Sequence, residues 1–245
     1  TLQFHASLGL DTYPKSAAIE AFLDIDLPAK VSAGQGHEDQ SMSARYSLSK
    51  VAAKVEGVVD GKKTLDDIRL ELGDCTRCGL HKGRSRILFG TGPSDARLMI
   101  IGEWPNLADD TEGIFFSGHQ GELLKKMLLA IDINVNDVYI TNVLKCRASE
   151  EMPPGKDHIS ACRPFLLSQI DVVSPDVILT MGPLAAQVLL STNTLLVRLR
   201  GRVHKYKTIP LIPTFQPSYL LKNEEMKRAA WVDLQLAQRQ LLRQS

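Results

Sequence analysis

The sequence predicts an α/β protein, a three-layer αβα sandwich around a mostly parallel central sheet. Three observations carry this. Short apolar runs at 98–101 (LMII), 138–140 (VYI) and 177–180 (VILT) have the look of buried parallel strands, and Gly102 and Gly182 follow closely on two of them. Stretches with helical spacing alternate with these runs, the order expected of a sheet wound with helices. The chain has 245 residues, 44% hydrophobic and 23% charged, which suits one soluble domain with an appendage.

Taken in order, 16–23 is helix-like and follows a short apolar motif, Leu8-Gly-Leu10-Asp-Thr-Tyr13-Pro14. Residues 31–45 are rich in Gly, Ser and Gln and read as a linker. Helices are expected over 47–55 and 64–72, the second capped by Thr64 with Asp66 and Asp67 in its first turn. Strands at 98–101, 138–140, 177–180 and 210–213 then alternate with helices at 122–130, 158–173, 183–190 and 224–242. The expected organisation is a segment over 1–30, a linker with a short helix over 31–63, and the folded body over 64–245. Ligands bind beyond the carboxyl ends of strands in such sheets. One rim should therefore carry Gly102 to Asn106, Thr141, Asn142, Gly182 and Thr214 to Ser218.

Composition excludes several classes. No apolar stretch approaches the ~18–20 residues of a membrane helix, and no basic and apolar signal segment opens the chain. A cytoplasmic protein with no membrane partner is expected. The net charge of +1 hides an asymmetry: residues 1–74 hold eight basic and twelve acidic residues, leaving twenty-one against sixteen for the body. The densest basic run, from Arg198 through Arg200, Arg202 and Lys205 to Lys207, reads either as a solvated strand or as a loop approaching a phosphate backbone.

Four cysteines are too few for a disulfide scaffold. Cys75-Thr-Arg-Cys78 has the spacing of a metal clamp, with Cys146 and Cys162 as further thiols. Spacing alone leaves zinc and an iron–sulfur cluster open, beside four unrelated buried thiols.

Read together, these segments resemble the iron–sulfur (family 4) uracil-DNA glycosylases over roughly 65–242. The matching blocks are Cys75-x-x-Cys78-Gly-Leu80, Gly102-Glu103-x-Pro105 and Gly113-x-x-Phe116-x-Gly118-x-x-Gly121-x-Leu123-Leu124. Further on come Tyr139-Ile-Thr-Asn142-Val-x-Lys145-Cys146-Arg147, Ala161-Cys162-Arg163-Pro164, Leu199-Arg200-Gly201 and Pro217-Ser218-x-Leu220-Leu221. The resemblance implies a DNA-repair hydrolase that removes uracil, or another deaminated base, from DNA. It also implies a [4Fe–4S] cluster on Cys75, Cys78, Cys146 and Cys162. By the same resemblance Glu103 serves water and sugar, and Phe116 and Asn142 form the base pocket with Gly102 and Pro105. Arg200, Gly201, Arg202, Pro217 and Ser218 would face DNA.

The chain departs from that pattern where activity is most sensitive. Gln216 stands where the family has a His that donates to the leaving base, and such a donor is worth about a hundredfold in rate. Trp104 replaces Ala, and Asn106 replaces Gly. Asn106 could instead hold the attacking water, so Glu103, Gln216 and Asn106 are the candidate catalytic residues. His119 is a surface or phosphate-contact residue in this reading. The alternative is a non-catalytic member of the same fold acting as a replication accessory. The leader's motif is loosely similar to the N-terminal peptide of the clamp-loader psi subunit, which implies clamp-loader or single-strand-binding proteins as partners.

Overall fold

The computed structural model describes residues 17–23, 63–149 and 154–244. The expected linker at 31–45, the helix at 47–55 and the Leu8–Pro14 motif lie outside them. The described residues belong to one compact unit.

Five strands form one sheet: β1 (Leu98–Gly102), β2 (Val138–Asn142), β3 (Val177–Met181), β4 (His204–Tyr206) and β5 (Ile209–Thr214). Their order is β2-β1-β3-β5-β4, with β4 alone antiparallel, at one edge. The mostly parallel sheet therefore stands as expected, and part of the basic run is its edge strand. Parallel strands buried on both faces need apolar residues throughout, and β1, β2 and β3 are buried along their whole length.

Side-chain alternation divides the core into two layers. Leu98, Ile100, Val138, Ile140, Val177 and Leu179 face α1 (Ala17–Leu23), α4 (His119–Leu129) and α9 (Lys227–Arg243). Met99, Ile101, Tyr139 and Ile178 face α5 (Lys156–Val173) and α6 (Pro183–Leu190). Phe22 of α1 is fully buried in the first layer, so this part of the leader packs on the body. A smaller cluster joins Ile68 and Leu72 of α2 (Leu65–Leu72) to Phe89 and Phe165.

Sequence reading missed three short helices, α3 (Leu107–Glu112), α7 (Leu196–Leu199) and α8 (Pro217–Leu220). All are too short for an amphipathic period to show. The long final helix begins at Lys227, because Glu224–Met226 forms a 3₁₀ turn before it. Thr64 caps α2 reciprocally with Asp67, as its sequence foretold.

Candidate active site

The carboxyl ends of β1, β2, β3 and β5 meet at a pocket of about 200 Å³ lined by Glu103, Trp104, Asn106, Phe116, Asn142 and Gln216, with Asp109, Gln120 and Ser218. A larger cleft, about 640 Å³, opens near the strands' amino ends and is lined by Asp95, Arg97, Asp132 and Asp137 beside apolar residues.

Register brings the base-reading candidates together. Gly102 pairs with Asn142 across β1 and β2. A side chain at Gly102 would run into the Asn142 amide and the Phe116 ring, so the glycine makes room for both rather than contacting ligand. Asn142 is buried, and among the described residues its side-chain amide makes no hydrogen bond. It is free to address a base. Pro105 is buried behind the loop and does not line the pocket.

Phe116 holds a left-handed backbone, φ 54°, which costs a β-carbon residue roughly 1–3 kcal/mol. The clamp is Asp109. One carboxylate oxygen accepts from the Ser117 backbone N–H and hydroxyl, both at 2.7 Å, and the other from the Asn106 N–H at 3.1 Å. Asn106 reciprocates as the N-cap of α3, its side-chain oxygen accepting from Asp109 N–H at 2.9 Å. That oxygen is spent on the cap, which leaves Asn106 only its amide N–H groups for a water. The Asn-x-x-Asp capping pattern was visible in the sequence and would have identified Asp109.

Glu103 is 9% exposed. One oxygen accepts from Leu184 N–H, in the first turn of α6, at 2.6 Å, and the other from the Gln216 side-chain amide. Burial pushes the carboxyl up to about 7, while the Leu184 N–H pulls the other way. Gly182 is what admits this pair. Its φ is +101°, and an added Cβ would lie 2.6 Å from Glu103 Cδ and 2.7 Å from Gln216 Nε2. Gln216 accepts from Ser218 Oγ at 3.0 Å, just before α8, whose first residue is the buried Pro217. Trp104 lines the mouth and packs on the second core layer.

The basic rim divides. Arg200, expected to face DNA, turns inward: its guanidinium makes paired bonds of 3.0 and 3.1 Å to Asp233, which is fully buried, and stacks over Phe215. Asp233 also accepts from Gly201 N–H at 2.8 Å and Thr214 Oγ1 at 2.9 Å, tying the basic loop to the end of β5. Burial raises the Asp233 carboxyl to about 6 even against the Arg200 charge. Nothing in the sequence distinguished Arg200 from its neighbours, because its partner lies thirty-three residues away. Arg202 and Lys205 are exposed, as is His119.

All four cysteines are free thiols. Among the described residues, no three or more His, Cys, Asp or Glu form a group that could hold a single metal ion. The thiols nonetheless share one neighbourhood. Burial raises Cys146 and Cys162; the charges of Cys162 and Cys78 also act on Cys146, and those of Cys78 and Cys75 on Cys162. Each receives a nitrogen donor: Arg84 Nη1 stands 3.3 Å from Cys146 Sγ, and the Lys145 backbone N–H 3.4 Å from Cys162 Sγ. Such donors suit thiolates engaged as ligands.

A mostly parallel α/β sheet here brings a buried carboxylate, an aromatic ring and a free amide to one strand rim, the arrangement of an α/β protein with its site at the carboxyl ends of the strands. Comparison with known proteins narrows it. The description "Uracil DNA glycosylase superfamily" matches residues 89–235. The chain is 36% identical over 167 residues to the type-4 uracil-DNA glycosylase of Thermotoga maritima, spanning 66% of this chain and 87% of that protein. It is 32% identical over 173 residues to the type-4 enzyme of Archaeoglobus fulgidus, spanning 67% and 87%. A third, from Sulfurisphaera tokodaii, is 34% identical over 174 residues, spanning 67% and 79%. The chain belongs to the uracil DNA glycosylase superfamily, in its type-4 branch.

Proposed function

We propose that this chain is a DNA-repair glycosylase that hydrolyses the N-glycosidic bond of uracil, or of another deaminated base, in DNA. The observation that carries it is the convergence of Glu103, Phe116, Asn142 and Gln216 on one small pocket. A base flipped from the stack lies against Phe116, and the Asn142 amide donates to O4 and accepts from N3–H of uracil. The C1′–N1 bond breaks with its electron pair leaving on the base. Water adds to C1′ and gives its proton to the Glu103 carboxylate, which also counters the positive sugar. A group held near neutrality by burial is suited to that exchange. Gln216 donates toward the base oxygen once its amide turns from Glu103, and the Asn106 amide orients the water. Arg202 and Ser218 with the Gly201 backbone form the DNA-facing rim, Arg200 holds that rim in place, and Pro217, expected there too, is buried beneath it.

Cys75, Cys78, Cys146 and Cys162 hold a [4Fe–4S] cluster, supported by their shared neighbourhood and their N–H donors. When bound it supplies a structural tie between the loop after α2 and the segment after β2. Free thiols in this number suit a reducing, cytoplasmic compartment. Residues 64–245 are the catalytic body, 31–63 a linker, and 1–30 a docking segment of which Ala17–Leu23 lies on the body itself. The clamp-loader or single-strand-binding partners rest on the leader's motif alone and are carried no further.

A second reading is favoured by one contact. Gln216 and Glu103 are bonded to each other, so the donor for the leaving base is turned aside. In that reading the pocket binds DNA without cleaving it, as a replication accessory. Incubation with a uracil-containing oligonucleotide separates the two. The repair reading expects abasic sites, lost in Glu103→Ala and Asn142→Ala, and a gain of about a hundredfold in Gln216→His. DNA binding without abasic sites, equal in the wild type and both alanine variants, supports the second.

A further inference from the structure

Tyr219 follows two residues of the pocket, Gln216 and Ser218, in the short helix α8. Successive helical residues turn by about 100°, so three neighbours here meet three environments. Ser218 lines the pocket, Leu220 is fully buried, and Tyr219 stays 42% exposed.

The exposed ring is held from behind. It stacks on Phe215, with centroids 5.0 Å apart and planes inclined by 22°. Phe215 is itself buried, and the Arg200 guanidinium lies over it at 5.2 Å. Arg200 is in turn bonded to the buried Asp233. A chain of contacts from the core thus fixes an aromatic ring beside the pocket, and among the described residues its hydroxyl makes no hydrogen bond. A tyrosine serving the core is buried, and its hydroxyl then finds a partner. Tyr219 does neither, and offers a flat apolar surface to something outside the chain.

The occupant follows from the place. A nucleotide whose base enters the pocket leaves its sugar and phosphates at the mouth. The next nucleotide of the strand is then within reach of the residue after Ser218. Stacking on an aromatic side chain needs no particular base, because every base has a π-face. Lys222, three residues on and exposed, is tied to Tyr219 by its backbone N–H, which donates to the Tyr219 carbonyl at 3.1 Å. A cation beside an aromatic platform is the pairing that holds a single strand by its phosphates and its bases together.

We propose that Tyr219 and Lys222 form a second nucleotide subsite: the base next to the extruded one lies on the Tyr219 ring, and Lys222 pairs with the phosphate. The substrate class this selects is single-stranded DNA, in which a neighbouring base is free to leave its stack. In a duplex the same base is held by its partner. The proposal rests on the glycosylase reading for the occupant of the first pocket and goes beyond it, because it adds a contact and a strand preference.

The test measures binding of the full chain to three single-stranded oligonucleotides. Each carries one 2′-fluoro-deoxyuridine, whose glycosidic bond resists hydrolysis, and two of them lack the base on its 5′ or its 3′ side. Wild type is expected to bind one of the two gapped strands about tenfold more weakly than the intact strand. Tyr219→Ala should lose that difference, and Tyr219→Phe should keep it. A tyrosine that only supported α8 would, on substitution, weaken all three complexes by one factor and leave the difference in place, which overturns the proposal. So does a wild type that binds all three strands equally, a result that depends on no variant folding. Lys222→Gln should flatten the slope of log affinity against log salt by about 0.7, and an unchanged slope removes Lys222 from the subsite. Pairing the intact strand with its complement should weaken binding by wild type more than by Tyr219→Ala; an equal loss overturns the strand preference. Abasic-site formation on plain uracil strands keeps the two readings apart. Cleavage without the base-dependent difference sinks the subsite alone, whereas the difference without cleavage sinks the repair reading and leaves the subsite.

Discussion

Two buried carboxylates, Glu103 and Asp233, stand at the same rim of the sheet, and burial raises both, to about 7 and about 6. Their partners differ. Asp233 is saturated by Arg200, the Gly201 N–H and Thr214, and holds a loop. Glu103 has two neutral nitrogen donors and, among the described residues, no paired cation, and it faces a cavity. Burial alone therefore does not mark a reactive group. What marks Glu103 is burial left without a counter-charge beside an open pocket.

The largest effect expected from this contrast is on stability, at Asp233. Asp233→Ala leaves Arg200 without its partner and should cost roughly 3–5 kcal/mol in chemical denaturation, with the basic loop loosened. A loss under about 1 kcal/mol would show that the pair holds nothing. Glu103 should behave in the opposite sense. Its folded pKa lies above the ordinary 4.5, so its contribution to stability is present below about 4.5 and lost as pH rises through about 7. Glu103→Gln removes that loss and should be more stable than wild type at about pH 8, by on the order of 3 kcal/mol relative to their difference at about pH 4. Identical pH profiles of unfolding would contradict the assignment.

Smaller effects sharpen the picture. Gly182→Ala puts a methyl group against Glu103 and Gln216 at a backbone angle that disfavours it, and should cost about 1–2 kcal/mol while separating the pair. Alanine at both exposed Arg202 and Lys205 should weaken DNA binding equally for uracil-containing and normal DNA. The salt dependence should flatten by about 1–2 in logarithmic slope. A loss confined to uracil-containing DNA would move these residues from the rim to the pocket.

The sequence displayed the fold because parallel strands buried on both faces are apolar runs, and their ends placed Glu103, Asn142 and Gln216 on one rim. Phe116 was legible only through its glycine-rich block. What shapes the ring's backbone, the Asp109 clamp on Ser117, acts through bonds that no spacing reports beyond the capping pattern at Asn106. Arg200 was misread for a related reason: a basic run gives charge but not direction, and Asp233 is distant in sequence. Lys145 lies within the Tyr139-to-Arg147 block, yet its burial and three acceptors belong to the tertiary structure.

The central claim is that Glu103 is the ionisable group serving base removal. It is tested most directly by the pH dependence of abasic-site formation on a uracil-containing oligonucleotide, in wild type and Glu103→Gln. Wild-type kcat/KM should rise with pH and level off above about 7, as the carboxylate ionises, while the variant is slower by about a hundredfold or more and flat across that range. A Glu103→Gln variant that cleaves as fast as wild type with the same pH profile would contradict the account.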